Sequence, residues 1–212
     1  MQEKSDNLKK AVFLDRDGVV IELAAGNQMH SFILTEEACH IIKGVPEALK
    51  TLKERGYKIF VITNQPAVAR GIVGPETVDA LHTYINKQLG GLIDGFYWCP
   101  HHPESHHPDI PAHAMKYRIK CDCRKPLPGL LIRAAHDFNI DLKKSWMIGD
   151  MITDIAAGAA AGCKTILVKS YLNERVIVPV VEFNRDIKPN YQTENLESAL
   201  QFIDSTNSLQ VD

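Results

Sequence analysis

Ala11-Val12-Phe13-Leu14-Asp15-Arg16-Asp17-Gly18 decides the fold. Four apolar residues, too few for a helix, run directly into two carboxylates and a glycine. That is how a buried strand of a parallel sheet ends at a ligand-binding edge. Similar short apolar runs follow at 58–62, 96–98, 145–148 and 165–168, rich in Val, Ile and aromatics. Between them lie helical patterns. Val45, Leu49 and Leu52 recur at helical spacing before Gly56, and Val78, Leu81, Ile85 and Leu89 form a stripe between Pro75 and Gly90-Gly91. Two more helices are expected over 127–138 and 152–161, and a last one around 196–203. Strands alternating with helices imply right-handed crossovers, hence an α/β fold: a three-layer, doubly wound, Rossmann-like parallel sheet. With 212 residues and a 45% hydrophobic fraction, a single domain over 1–212 is expected.

Three of these strands end in polar groups suited to chemistry. The first runs into Asp15 and Asp17, the second into Thr63-Asn64-Gln65, and the fourth into Gly149-Asp150, with Asp154 four residues on. An Asp after a strand is often only a turn or cap residue. Three clusters at the same end of three parallel strands exceed that reading. Asp15 and Asp17 would share a face if the strand continued through them. Close carboxylates repel unless a cation intervenes, which suits an ionised nucleophile, a protonated acid and a divalent metal between them.

The section 99–124 is different: it is rich in His and Pro, lacks periodicity and is too long for an ordinary connection. Cys99-Pro100-His101 and Cys121-Asp122-Cys123 offer three thiolates and one imidazole, a set suited to closed tetrahedral zinc that would staple this loop just before Arg124-Lys125. His102, His106, His107 and His113 are competing ligands, and free thiols are the reading without metal. An odd count of 5 cysteines argues against a disulfide framework. Cys39 and Cys163, isolated among other residues, are expected to be buried thiols.

The chain has 24 Lys and Arg against 26 Asp and Glu, a formal charge of −2, so nothing in it calls for nucleic acid or an anionic membrane. Its first ten residues hold no apolar run, and no stretch approaches the roughly 20 apolar residues needed to span a bilayer. A cytoplasmic monomer is the expectation.

Taken in order, Asp15-Arg16-Asp17-Gly18-Val19, Thr63-Asn64, Lys125, and Gly149-Asp150 with Asp154 resemble the four signatures of the haloacid dehalogenase (HAD) superfamily of phosphohydrolases. The resemblance runs from Ala11 to about Val168. It implies that Asp15 attacks phosphorus and becomes an aspartyl phosphate, and that Asp17 serves as general acid and then general base. Mg2+ would be held by the Asp15 carboxylate, the Asp17 carbonyl and Asp150. Thr63 and Asn64 would donate to phosphate oxygens, Lys125 would offset charge, and Asp154 would orient Lys125 or the metal's surroundings.

Cys-Pro-His-His-Pro-Glu at 99–104 and Cys-Asp-Cys-Arg-Lys-Pro at 121–126 are similar to one branch of that superfamily, the heptose 1,7-bisphosphate 7-phosphatases and the related histidinol-phosphate phosphatases. Asn64-Gln65 and Arg70-Gly71 fit the same branch. There Arg124, and with it Arg70, would grip the sugar phosphate. The chain departs from the branch in a longer loop between His101 and Cys121, in the segment 21–34, and in Met151, where these relatives tend to carry a cation. No stretch is long enough for a separate cap domain, so loops 21–43 and 99–124 are expected to select a small phosphorylated metabolite. Three functions are therefore expected: a heptose bisphosphate phosphatase; a hydrolase of histidinol phosphate or of a nucleic-acid 3′-phosphate end; and a catalytically silent, zinc-stabilised binding module.

Overall fold

In the computed structural model, residues 8–23, 32–103, 111–169, 184 and 186–205 are described. The opening strand β1, Ala11–Leu14, is buried along its whole length. Five further strands join it: β2 (Lys58–Asn64), β3 (Gly95–Cys99), β4 (Trp146–Gly149), β5 (Lys164–Val168) and β6 (Tyr191–Thr193). They form one sheet in the order β3-β2-β1-β4-β5-β6, and every pairing is parallel. The chain leaves β1 for β2 on one side and later places β4 on the other. That reversal opens a crevice at the carboxyl ends of β1, β2 and β4.

Alternation along the strands divides the core. Val12 and Leu14 face Leu49 and Leu52 of α1 (Val45–Glu54), Leu81 and Ile85 of α2 (Pro75–Gln88), and Leu196 and Ala199 of α5 (Leu196–Ser205). Ala11 and Phe13 face the other way, against Leu130 and Ala134 of α3 (Gly129–Phe138) and Ala157 of α4 (Ile152–Ala161). The result is the expected three-layer, doubly wound architecture. Among the described residues no second domain covers the crevice. β6 is the element that the sequence does not reveal: Tyr-Gln-Thr carries no apolar run, and its extended form comes from pairing with β5. Cys39 and Cys163 are buried, as expected of isolated thiols. Within the 99–124 section, Ala112–Tyr117 forms a 3-10 helix; 104–110, with His106 and His107, lies outside the described residues, as does the tail at 170–183.

One ionic clamp fixes the start of β2. The Asp94 carboxylate accepts from Lys53 Nζ at 2.6 Å, Lys58 Nζ at 2.7 Å and the Ile59 amide at 2.8 Å. Burial opposes the charge, but these donors outweigh it and hold the carboxyl below its usual range. A depressed native pKa contributes stability above the ordinary carboxylate range, and the contribution disappears as pH falls through the native value. Asp94→Asn should therefore cost about 2 kcal/mol at neutral pH, since charge-assisted hydrogen bonds contribute about 1.5–3 kcal/mol. Urea denaturation of the two proteins should give equal stabilities once the pH lies below the lowered native value of Asp94. A gap that persists unchanged into acid would contradict this assignment.

Candidate active site and metal cluster

β1 stops at Leu14, and the chain turns there. Asp15 stands at the end of β1 with its amide bonded to the Ile148 carbonyl of β4 at 2.9 Å, so the crevice between these strands positions it. Asp150 follows β4, and Asp154 lies in the first turn of α4. Carboxylate oxygens of Asp15, Asp150 and Asp154 all lie within 4.8 Å of one another. All three residues are buried. Lys125, itself 4% exposed, reaches in with Nζ 2.7 Å from Asp15 Oδ1 and 2.6 Å from Asp154 Oδ1, and it donates to the Ile62 carbonyl at 2.7 Å. The other oxygen of Asp154 accepts the Met151 amide at 2.9 Å, which anchors the carboxylate that holds the lysine.

Two glycines make this crowding possible. Gly18 has φ +84, and a Cβ there would strike the Asp150 carboxylate. A Cβ on Gly149 would strike Asp154. Both positions need the close approach that only glycine allows.

Burial pushes the Asp15 carboxyl up to about 7 against the pull of Lys125, with Asp154 and Asp17 adding to the rise. Burial alone would lower Lys125, but Asp15 and Asp154 together hold it above its ordinary value. Among the described residues, three buried carboxylates gather around the Lys125 ammonium, a set of oxygen donors that suits a hard divalent cation.

Asp17 does not join this cluster. Its carboxylate turns instead to Arg16, with Nε 3.3 and 3.2 Å from its two oxygens and Nη2 3.1 Å from Oδ1, and to Gln65 Nε2 at 3.1 Å. The expectation that Asp15 and Asp17 share a strand face therefore does not hold, because the strand ends before either residue. Thr63 is buried, and its hydroxyl accepts from Gln65 Nε2 at 2.9 Å, which leaves its own proton to donate. Asn64 clamps the Lys125 peptide: Nδ2 donates to its carbonyl at 3.0 Å, and Oδ1 accepts its amide at 3.1 Å. An amide carries two N–H groups, so one remains for another acceptor. Gln65, to which the sequence assigns no role of its own, links Thr63, Asp17 and Arg16.

Cys99, His101, Cys121 and Cys123 converge. Cys99 Sγ lies 3.6 Å from Cys121 Sγ and 3.2 Å from Cys123 Sγ, and His101 Nδ1 lies 3.6 Å from Cys99 Sγ and 3.3 Å from Cys123 Sγ. These separations are far beyond a disulfide bond. Ligands at zinc distances from a tetrahedral centre stand about 3.8 Å apart for sulfur pairs and about 3.6 Å for sulfur and nitrogen, close to those found. Hydrogen bonding within the cluster, led by Cys99, draws the Cys123 thiol down to about 5, whereas Cys99 is driven up. Without a cation the thiols cannot all ionise together. His102 and His113 are not in this cluster. Arg124, next in sequence to Lys125, is tied to the cluster by donating to the His101 carbonyl at 3.1 Å. Burial holds Arg124 below its ordinary value, and neighbouring Arg70 adds to that. Arg70 in turn lies 5.3 Å from the Phe32 ring centroid.

Comparison with known proteins agrees with this geometry. The Hydrolase_like (HAD-hydrolase-like) family model matches residues 122–199. The D-glycero-beta-D-manno-heptose-1,7-bisphosphate 7-phosphatase of Haemophilus ducreyi is 38% identical over 167 residues, 76% of this chain and 84% of that protein. This chain belongs to the HAD-like phosphatases, in the heptose-bisphosphate phosphatase family. The phosphatase of the same description from Vibrio cholerae is 37% identical over 193 residues, 86% of this chain and 96% of that one. Among solved structures, the B. bronchiseptica D,D-heptose 1.7-bisphosphate phosphatase complexed with magnesium and phosphate superposes with TM-score 0.69 at 26% identity, covering 92% of this chain and 99% of that one. A HAD-like phosphatase from Mesorhizobium loti, with TM-score 0.72 and 22% identity, shares the fold. Among the described residues, no helix is long and apolar enough to cross a membrane.

Proposed function

We propose that this chain is a magnesium-dependent phosphatase that removes the 7-phosphate of D-glycero-β-D-manno-heptose 1,7-bisphosphate through an aspartyl phosphate on Asp15. The observation that carries the chemistry is the buried contact of Lys125 Nζ with both Asp15 and Asp154, beside Asp150. Likeness to relatives of that activity along most of their length supports the substrate.

In this reading the Asp15 carboxylate forms a bond to phosphorus while the sugar oxygen departs with a proton from Asp17. Water then releases phosphate, with Asp17 taking the water's proton. Lys125 offsets charge on the transferring group, and Thr63 and the remaining Asn64 N–H donate to its oxygens. The Asp15 carboxylate, the Asp17 carbonyl and Asp150 would hold Mg2+, with Asp154 steadying Lys125 beside them. Bound there, the ion would neutralise charge between an anionic nucleophile and an anionic phosphate. Arg70 and Arg124, two neighbouring guanidiniums, would take the substrate's second phosphate. A structural zinc ion on Cys99, His101, Cys121 and Cys123 would fix the loop that carries Arg124 and Lys125. The enzyme would work as a monomer in the cytoplasm, on a small sugar phosphate and not on nucleic acid.

The test compares kcat/KM for the heptose bisphosphate, histidinol phosphate and an oligonucleotide with a 3′-phosphate. The heptose bisphosphate should lead by at least about 100-fold, a difference of about 2.7 kcal/mol. Mild chelation that removes Mg2+ but leaves the zinc in place should abolish turnover, and Mg2+ should restore it. A lead for either rival substrate would overturn the specificity. Full activity in a chelator would overturn the metal dependence.

A further inference from the structure

Residue 16 holds both of the carboxyls assigned to the reaction. Its backbone N–H donates to Asp15 Oδ1 at 2.7 Å, while its guanidinium covers both oxygens of Asp17. Arg16 is only 1% exposed, so its charge is withdrawn from water, which requires a defined set of partners. Asp17 is one. Gln65 Oε1 is another, 3.0 Å from Nη2, and Gln65 Nε2 closes a ring by donating to Asp17 at 3.1 Å. The third is His82 of α2, whose Nε2 lies 3.4 Å from Arg16 Nη1.

His82 has no role in the chemistry described above, yet it is 4% exposed and stacked on Phe96, with ring centroids 4.6 Å apart at 16°. Arginine only donates, so His82 Nε2 must accept and its proton sits on Nδ1. Among the described residues, Nδ1 is buried without a hydrogen-bond partner. An apolar residue would avoid leaving that donor unpaired, so the imidazole at this position serves the guanidinium. Burial and Arg16 push His82 down to about 3, so it stays neutral and keeps accepting across the working pH range.

We propose that Arg16, steadied by Gln65 and His82, is the positioning residue for the Asp17 carboxyl. The inference rests on the reading of Asp17 as general acid. A lysine would offer one point charge where the planar fork now meets Asp17, Gln65 and His82 together, so Arg16→Lys should leave Asp17 misplaced.

The experiment uses leaving-group dependence. Formation of the aspartyl phosphate makes the Asp15–phosphorus bond and breaks the bond to the leaving oxygen, which needs the Asp17 proton if it departs as an alcohol. Nitrophenolate leaves without one. kcat/KM extends only to departure of the leaving group, so later hydrolysis of the intermediate does not enter. The ratio of kcat/KM for a sugar phosphate to that for p-nitrophenyl phosphate should fall about 30-fold in Arg16→Lys, less than the roughly 100- to 10,000-fold ascribed to general acid–base catalysis, because the acid is misplaced and not removed. In His82→Phe, which keeps the ring stack, it should fall about threefold in the same direction. Asp17→Asn sets the full effect. A collapsed ratio in Asp17→Asn with unchanged ratios in both other variants would overturn the positioning role and leave the acid intact. An unchanged ratio in Asp17→Asn would remove the acid itself and the inference with it. Should Arg16→Lys fail to fold, the His82→Phe ratio decides.

Discussion

Asp15→Asn should abolish turnover of every phosphate ester, with kcat lowered roughly 10,000-fold or more, as loss of a nucleophile lowers it elsewhere. The reason is local. An amide of the same shape is not an anionic nucleophile, and nothing else in the cluster can replace it: Asp150 and Asp154 are assigned to metal and lysine. Stability should move the other way or stay level. Asp15, Asp150 and Asp154 are buried close together, so removing the Asp15 charge relieves repulsion and desolvation while Lys125 keeps Asp154 at 2.6 Å. Activity assays and denaturant unfolding of the same variant check both halves. Substantial remaining activity would place the nucleophile elsewhere. A large loss of stability would show that the carboxylate is structural.

The second large effect concerns the cysteine cluster. Removing the zinc proposed there should lower the thermal midpoint by about 10 °C. Binding present at a thousandfold excess over Kd contributes about 4 kcal/mol, and a chain of this size shifts about 2–4 °C per kcal/mol. Cys123→Ser should do the same, since Cys123 contacts both Cys99 and His101. Catalysis should suffer too, even with magnesium restored, because the loop holds Arg124 through the His101 carbonyl and leads directly into Lys125. Metal analysis of the purified protein should find about one zinc per chain. Its absence, or a melting point indifferent to strong chelation, would reduce the cluster to thiols packed under a loop.

The sheet is legible in the sequence because its strands are short, apolar and bounded by polar residues. Ala11–Leu14 shows both its burial and its direction toward Asp15. β6 is not legible, because three residues without an apolar pattern take their form from the neighbouring strand. The Cys-Pro-His and Cys-Asp-Cys pairs are visible as potential ligands, although only three dimensions bring them within 3.2–3.6 Å contacts. Asp17 shows the limit of spacing arguments. Two carboxylates one residue apart suggest a shared face, whereas the turn after Leu14 sends Asp17 to Arg16. Part of that arrangement does leave a trace. His82 falls at helical spacing within the stripe of Val78, Ile85 and Leu89, and a histidine among core positions implies a buried partner. Asn64 leaves none, since its clamp on the Lys125 peptide depends on a contact 61 residues away.

A covalent bond between Asp15 and phosphorus is the claim on which the mechanism stands. It is tested most directly by mixing enzyme, Mg2+ and substrate bearing a radiolabelled phosphoryl group, quenching in acid during the first turnover and mapping the labelled peptide. Label on the peptide containing Asp15, replaced by homoserine at that position after borohydride reduction, is the predicted result. Release of phosphate with no labelled protein at any quench time, or label fixed on another residue, would contradict it.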